Sequence, residues 1–187
     1  DILEDISPDL VVGMGGYISG VVIKVALNLK IKTIIHEQNA VMGLANKLVY
    51  KKVDRVLLGL PLNKPLKREN IILVGNPRIS EIYEQNENIE ENKLIVVVGG
   101  SRGSLVMNDT VVSLIDDFKA KGYRLILITG NRYYDNYKSY DNQDSIKIIP
   151  FSNEIINIFK KASIVISRSG ATTISEILGL RKISILI

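Results

Sequence analysis

No cysteine occurs in this chain, so neither a disulfide framework nor a thiolate metal site is open to it, and a reducing compartment fits. Long apolar runs are also missing. The longest fall far short of the roughly 20 residues that a membrane span needs, and no secretory signal is present. Neither Asp-x-Asp nor His-x-x-His occurs, so no metal site and no cofactor are expected. Excess charge is small: the net charge is +4, and the basic residues are scattered. That pattern reads as solvated Lys and Arg, not as a nucleic-acid-binding stripe, and leaves a mild bias toward anionic ligands or a membrane surface. What is present is the mix of a globular protein, 46% hydrophobic and 24% charged, over 187 residues, enough for one ordinary domain or two small ones.

The chain begins at Asp1, not Met, and stops within the apolar run Ile183, Ile185, Leu186, Ile187. Both ends therefore read as cuts, and the first sheet is expected to be incomplete. Short apolar runs alternate with helical patterns throughout. Strands are expected at 10–12, 33–35, 55–58, 71–74, 94–98, 124–129, 146–149 and 164–166, with helices near 19–29 and 43–51 among the segments between them. Such alternation argues for parallel sheets with right-handed crossovers. The all-apolar run at 94–98 fits a strand covered on both faces. The polar, acidic stretch 84–92 breaks the rhythm and reads as a connector. The expected division is a partial domain over 1–80 and a second over 81–187.

Each half has a strand that ends in glycines before a helix: VVGMGGYISG at 11–20 and VVVGGSRGS at 96–104. Glycine lets backbone approach a phosphate, and the amides at the helix start point toward it. Neither loop is a P-loop or a true GxGxxG, and close packing alone also explains such turns. A third unit, 164–176, crowds Ser169, Thr172 and Thr173 beside Arg168, with Glu176 a turn into the helix. Glu176 can accept both hydroxyls of a ribose while amides hold a diphosphate. The competing reading is a capping box between Thr172 or Thr173 and Glu176.

His36, Glu37, Gln38 and Asn39 follow the strand at 33–35, where an open α/β sheet binds ligands. His36 is the only histidine. The run HEQNAVMGLANK (36–47) closely resembles a signature of the MurG family of glycosyltransferases. GMGGYISG (13–20), GNPR (75–78), GGSRGSLVMN (99–108) and SRSGATTISE (167–176) resemble further motifs of that family, in the same order, over nearly the whole chain. Arg102 departs from the usual Gln of the glycine loop.

The resemblance implies a GT-B fold, two Rossmann-like domains with a cleft between them: an acceptor-side domain, here incomplete, and a UDP-sugar donor domain. It implies transfer of GlcNAc from UDP-GlcNAc to lipid I (undecaprenyl-diphosphoryl-MurNAc-peptide), giving lipid II and UDP at the cytoplasmic face of the bacterial membrane, with the enzyme bound peripherally. It places Asn39 and Ser101 near the donor, Arg78 near phosphate, backbone at Phe151 and Ser152 on the uracil, and Ala171, Thr172, Thr173, Ile174, Ser175 and Glu176 on the diphosphate and ribose. Tyr17, Asn46, Asn108 and Arg168 are further lining candidates. His36 or Glu37 is the base candidate within this chain, although the family's leading candidate lies in a loop that would precede Asp1.

Without a metal, helix N-termini and Arg168 must neutralise the leaving diphosphate during an inverting displacement. The 187 residues alone are expected to be inactive in transfer. The rival readings are a GT-B relative with another acceptor and a non-catalytic nucleotide-binding module. The tyrosines at 133, 134, 137 and 140 read as an ordinary surface segment.

Overall fold

The computed structural model describes residues 2–83, 92–142 and 144–187, so residues 84–91 of the expected connector lie outside the described residues. The chain divides into two compact units, Asp1–Pro77 and Arg78–Ile187.

The first unit holds a four-stranded parallel sheet in the order β1-β2-β3-β4. Its strands are β1 (Leu10–Gly13), β2 (Lys32–Glu37), β3 (Arg55–Leu58) and β4 (Ile71–Leu73). The helices are α1 (Ile2–Ile6), α2 (Tyr17–Asn28) and α3 (Leu44–Val49). Alternate strand residues Val56 and Leu58, with Ile35, pack against Ile23 of α2 and Val49 of α3. Burying each such side chain contributes about 1.5–3 kcal/mol. Gly13 ends β1 because α2 passes too close for a side chain: a Cβ there would sit 2.7 Å from Ser19 Oγ and 2.8 Å from Ile23.

One boundary differs from the sequence expectation in a way that matters. β2 continues through His36 and Glu37, which pair with Leu57 and Leu58 of β3. The ladder needs only backbone groups, so polarity does not end the strand once the side chains find partners.

The second unit begins with α4 (Arg78–Tyr83) and carries a five-stranded parallel sheet, β7-β6-β5-β8-β9. The strands are β5 (Leu94–Val98), β6 (Arg124–Ile128), β7 (Ile146–Ile149), β8 (Ile164–Ser167) and β9 (Ile183–Leu186). Between them lie α5 (Leu105–Ser113), α6 (Ile115–Ala120), α7 (Tyr134–Tyr137), a 3-10 turn over Lys138–Tyr140, α8 (Ile155–Lys161) and α9 (Ala171–Gly179).

β5 shows why its sequence lacks polar residues. Leu94, Val96 and Val98 face one core with Phe159 of α8 and Ile177 of α9. Ile95 and Val97 face the other with Met107 and Val111 of α5. Side chains alternate across a strand, so a strand covered on both faces must be apolar throughout. α4 belongs with this unit because Ile82 packs into the first of these cores and lies beside Gly179 of α9. The division thus falls at Pro77 and Arg78, where the sequence reading put it at 80 and 81.

The tyrosine run is more than a surface segment. Tyr137 is buried and donates to Asp109, and Tyr133 and Tyr134 pack on the second core. Burial, followed by the Asp109 carboxylate, pushes the Tyr137 phenol up to about 12.

Candidate functional site: loops at the carboxyl ends of two parallel sheets

In the first unit, every strand delivers its following loop to the same sheet edge because all the strands are parallel. The Gly-rich turn after β1, the 38–43 loop after β2 and the start of α3 border an open cavity of about 840 Å³. Glu37, Asn39 and Asn46 reach it, as does Tyr17, which opens α2 at 86% exposure.

Glu37 organises this region. It is buried, and its Oε1 accepts from the Asn39 amide at 3.0 Å and from Asn39 Nδ2 at 3.1 Å. Its Oε2 accepts from the Gly43 amide at 2.8 Å and from Asn46 Nδ2 at 2.9 Å. Burial pushes this carboxyl up, but the hydrogen bonds outweigh it and hold the group below the ordinary value. His36 is also buried. Its Nε2 lies 3.0 Å from the Gly75 carbonyl, which can only accept, so Nε2 carries the proton. Nδ1 is buried with no partner among the described residues. Neither ring nitrogen faces solution in this arrangement.

In the second unit, the chain leaves β5 toward β6 on one side and later returns as β8 on the other. The point where strand order reverses is where open α/β sheets bind ligands, outside the carboxyl ends of the strands. Here it lies between β5 and β8. The loop holding Ser101 follows β5, and the loop holding Arg168 follows β8. Ser101 and Arg168 are both exposed.

The turn after β5 is tightly built. Gly103, at φ +75°, lies so close to the Thr129 carbonyl that a Cβ would collide with its oxygen, and a Cβ on Gly130 would sit 2.7 Å from Gly103. Asn108 donates its Nδ2 to Thr129 O at 3.0 Å from a fully buried position. That bond ties the start of α5 to the end of β6 beneath the turn, and the Asn108 Oδ1 is buried with no partner among the described residues.

The start of α9 carries no capping box. Gly170 is the N-cap and supplies no side-chain hydrogen bond, so the capping box considered between Thr172 or Thr173 and Glu176 is not formed. The first amides of a helix have no intrahelical acceptor, so those of Ala171, Thr172 and Thr173 are available to an anion. Thr172 is exposed, and Thr173 and Ile174 are half-buried. Ser175 is buried and donates to Ala171 O at 2.8 Å. Glu176 does not reach back to the helix start. Its Oε1 accepts from Arg78 Nε at 3.4 Å. Burial raises its carboxyl, and Arg78 offsets only part of that. On the other flank, Phe151 is half-exposed after β7, and Ser152 Oγ accepts from the Glu154 amide at 3.0 Å.

Two parallel sheets whose Gly-rich turns lead into helices define two Rossmann-like units of the GT-B class of glycosyltransferases. Residues 94–187 match the sequence profile of the glycosyltransferase family 28 C-terminal domain, and residues 1–58 match that of the family 28 N-terminal domain. The chain belongs to glycosyltransferase family 28.

A relative from Halalkalibacterium halodurans is 36% identical over all of this chain and 55% of its own length. One from Lactococcus lactis subsp. cremoris is 34% identical over 96% of this chain and 52% of its own. Both are named UDP-N-acetylglucosamine--N-acetylmuramyl-(pentapeptide) pyrophosphoryl-undecaprenol N-acetylglucosamine transferase. The chain thus spans about half the length of the curated relatives it matches. Among solved structures, Acinetobacter baumannii MurG superposes with a TM-score of 0.70 at 23% identity, covering 96% of this chain and 52% of that one. The glycotransferase of kitacinnamycin superposes with a TM-score of 0.72 at 15% identity, covering 98% of this chain and 58% of that one. These likenesses support the fold.

Proposed function

We propose that the whole protein transfers GlcNAc from UDP-GlcNAc to the muramyl sugar of lipid I, giving lipid II and UDP, as a step of peptidoglycan synthesis. The observation that carries this reading is the start of α9 at the strand-order reversal. Uncapped amides stand there beside Arg168, with the Glu176 carboxylate a turn further on. That set suits a nucleoside diphosphate: amides and guanidinium for the diphosphate, carboxylate for the ribose hydroxyls. The second unit is accordingly the donor domain, with Ser101, Arg78, Ser152 and Ala171 to Glu176 as its contacts. The first unit is the acceptor-side domain, to which Asn39, Asn46 and Tyr17 belong. The names of the relatives at 34–36% identity supply the sugar and the acceptor.

The reaction inverts the anomeric carbon: the acceptor hydroxyl displaces UDP in line while a base takes its proton. Amides of α5 and α9, with Arg168, receive the negative charge that develops on the diphosphate. Association with the cytoplasmic membrane face is part of the same proposal. It is supported by Tyr17, Ile18, Leu44 and Leu48, which are 75–86% exposed, with Lys24 and Lys52 bordering the same cavity. No helix among the described residues is long and apolar enough to cross a membrane.

The test is transfer of labelled GlcNAc to a short-chain lipid I analogue by the whole protein, with and without chelator. Product in both arms supports the reading. No product in either arm overturns the activity, and loss with chelator alone overturns the metal-independent step.

A further inference from the structure

The Glu37 carboxylate has about four lone-pair directions in its plane, and each already meets a donor: the Asn39 amide and Nδ2 on Oε1, the Gly43 amide and Asn46 Nδ2 on Oε2. A general base must offer a lone pair to the proton it takes, within about 3 Å. None is left here. The same contacts stabilise the anion and so make the carboxylate a weaker base.

We propose that Glu37 is a positioning residue, a fixed acceptor that folds the 38–43 loop and sets the amide orientation of Asn39 and Asn46, and not the group that deprotonates the acceptor. This rests on the transferase reading above.

The orientation has a chemical consequence. Glu37 can only accept, so it draws the Nδ2 end of Asn39 inward. Asn39 is exposed, and its Oδ1 makes no hydrogen bond among the described residues. The residue therefore presents a carbonyl oxygen outward. An outward acceptor selects a ligand group that donates, a sugar hydroxyl or an acetamido N–H, and disfavours a phosphate oxygen. Asn46 is fixed in the same way: its Nδ2 also lies 3.4 Å from the His36 carbonyl, tying α3 to the end of β2. A single buried carboxylate thus orders the loop after β2, the start of α3 and the polar face of the cavity.

The experiment uses the whole protein, with UDP-GlcNAc and a short-chain lipid I analogue. If the wild type forms no product, the transferase reading has failed and the variants are not the cause. Given an active wild type, Glu37→Gln places an NH2 against at least one of the inward donors. We expect KM for UDP-GlcNAc or for the lipid I analogue to rise about 5-fold or more, since both carry donating sugar groups. The acid limb of the kcat profile should persist, and the effects of Glu37→Gln and Asn39→Ala should combine less than additively, because part of the Glu37 role runs through Asn39. Loss of kcat by about 1,000-fold with unchanged KM and a vanished acid limb would overturn the proposal.

Should Glu37→Gln fail to fold, Asn39→Asp decides the matter. It leaves Glu37 in place but sets a like charge beside it, which raises the Glu37 carboxyl. A base at Glu37 would carry the acid limb upward in pH. A positioning role leaves the limb where it was and raises KM.

Discussion

Arg78 Nε stands 3.4 Å from Glu176 Oε1, so the first helix of the second unit holds the carboxylate of α9, the helix at the proposed UDP site. The pair is asymmetric, with the Glu176 side chain 7% exposed and that of Arg78 36%. Burial raises the Glu176 carboxyl and Arg78 pulls it partway back. A raised carboxyl is protonated at a higher pH than an ordinary glutamate, and a protonated Glu176 accepts ribose hydroxyls poorly. UDP affinity should therefore fall on acidification, and Arg78→Ala should move that fall to higher pH, with Arg78→Lys between the two. Calorimetry with UDP between about pH 5 and 8 reads the shift. Identical profiles for Arg78→Ala and wild type would show that the pair does not set the charge of Glu176.

Glu176→Ala should weaken UDP binding by about 10- to 100-fold, the loss of a charge-assisted hydrogen bond at roughly 1.4 kcal/mol per decade. The α9 helix itself should persist, because the Glu176 side chain takes no part in its caps. Unchanged UDP affinity together with a large fall in melting temperature would assign the residue a structural role only.

Stability should depend on pH through Glu37 with the opposite sign to Glu176. The Glu37 carboxyl is held below its ordinary 4.5, so its contribution is full above that value and is lost as pH falls through the depressed one. Glu37→Ala should cost about 2–3 kcal/mol at neutral pH, from hydrogen bonds lost to a buried charge. The gap from wild type should close in acid. Urea unfolding of both proteins at neutral pH and below about pH 4 measures it. A gap that stays constant would mean that packing, not charge, is what the residue supplies.

Gly103→Ala should destabilise by about 3 kcal/mol or more, because both φ +75° and contact with the Thr129 carbonyl oppose a Cβ. Gly100→Ala is the control. It shares a positive φ of +86°, but nothing lies within 4 Å, so only the backbone cost of about 1–2 kcal/mol remains. Thermal melts compare the two, and equal losses would refute the role given to close approach.

The sequence alone determined the alternation of strand and helix and pointed to parallel sheets, because a five-residue apolar run such as 94–98, followed at once by glycines, is too short for a buried helix and fits a strand covered on both faces. It also determined which residue types stand after each strand, since glycines, hydroxyls and Arg168 are local choices of the turn. What those side chains do was decided by tertiary structure. Spacing alone allowed Glu176 to close a capping box. Instead α4, 98 residues away in sequence at Arg78, meets its carboxylate, and no local pattern encodes that meeting. The HEQN run placed acid and imidazole together and suggested proton transfer. The ladder to β3 carried both residues inside, where the Gly75 carbonyl took one ring nitrogen and the 38–43 loop, with Asn46 of α3, took every lone pair of the acid. Burial makes hydrogen-bonding groups seek every available partner. The role of a polar side chain is therefore settled by whichever donors and acceptors the fold brings within reach.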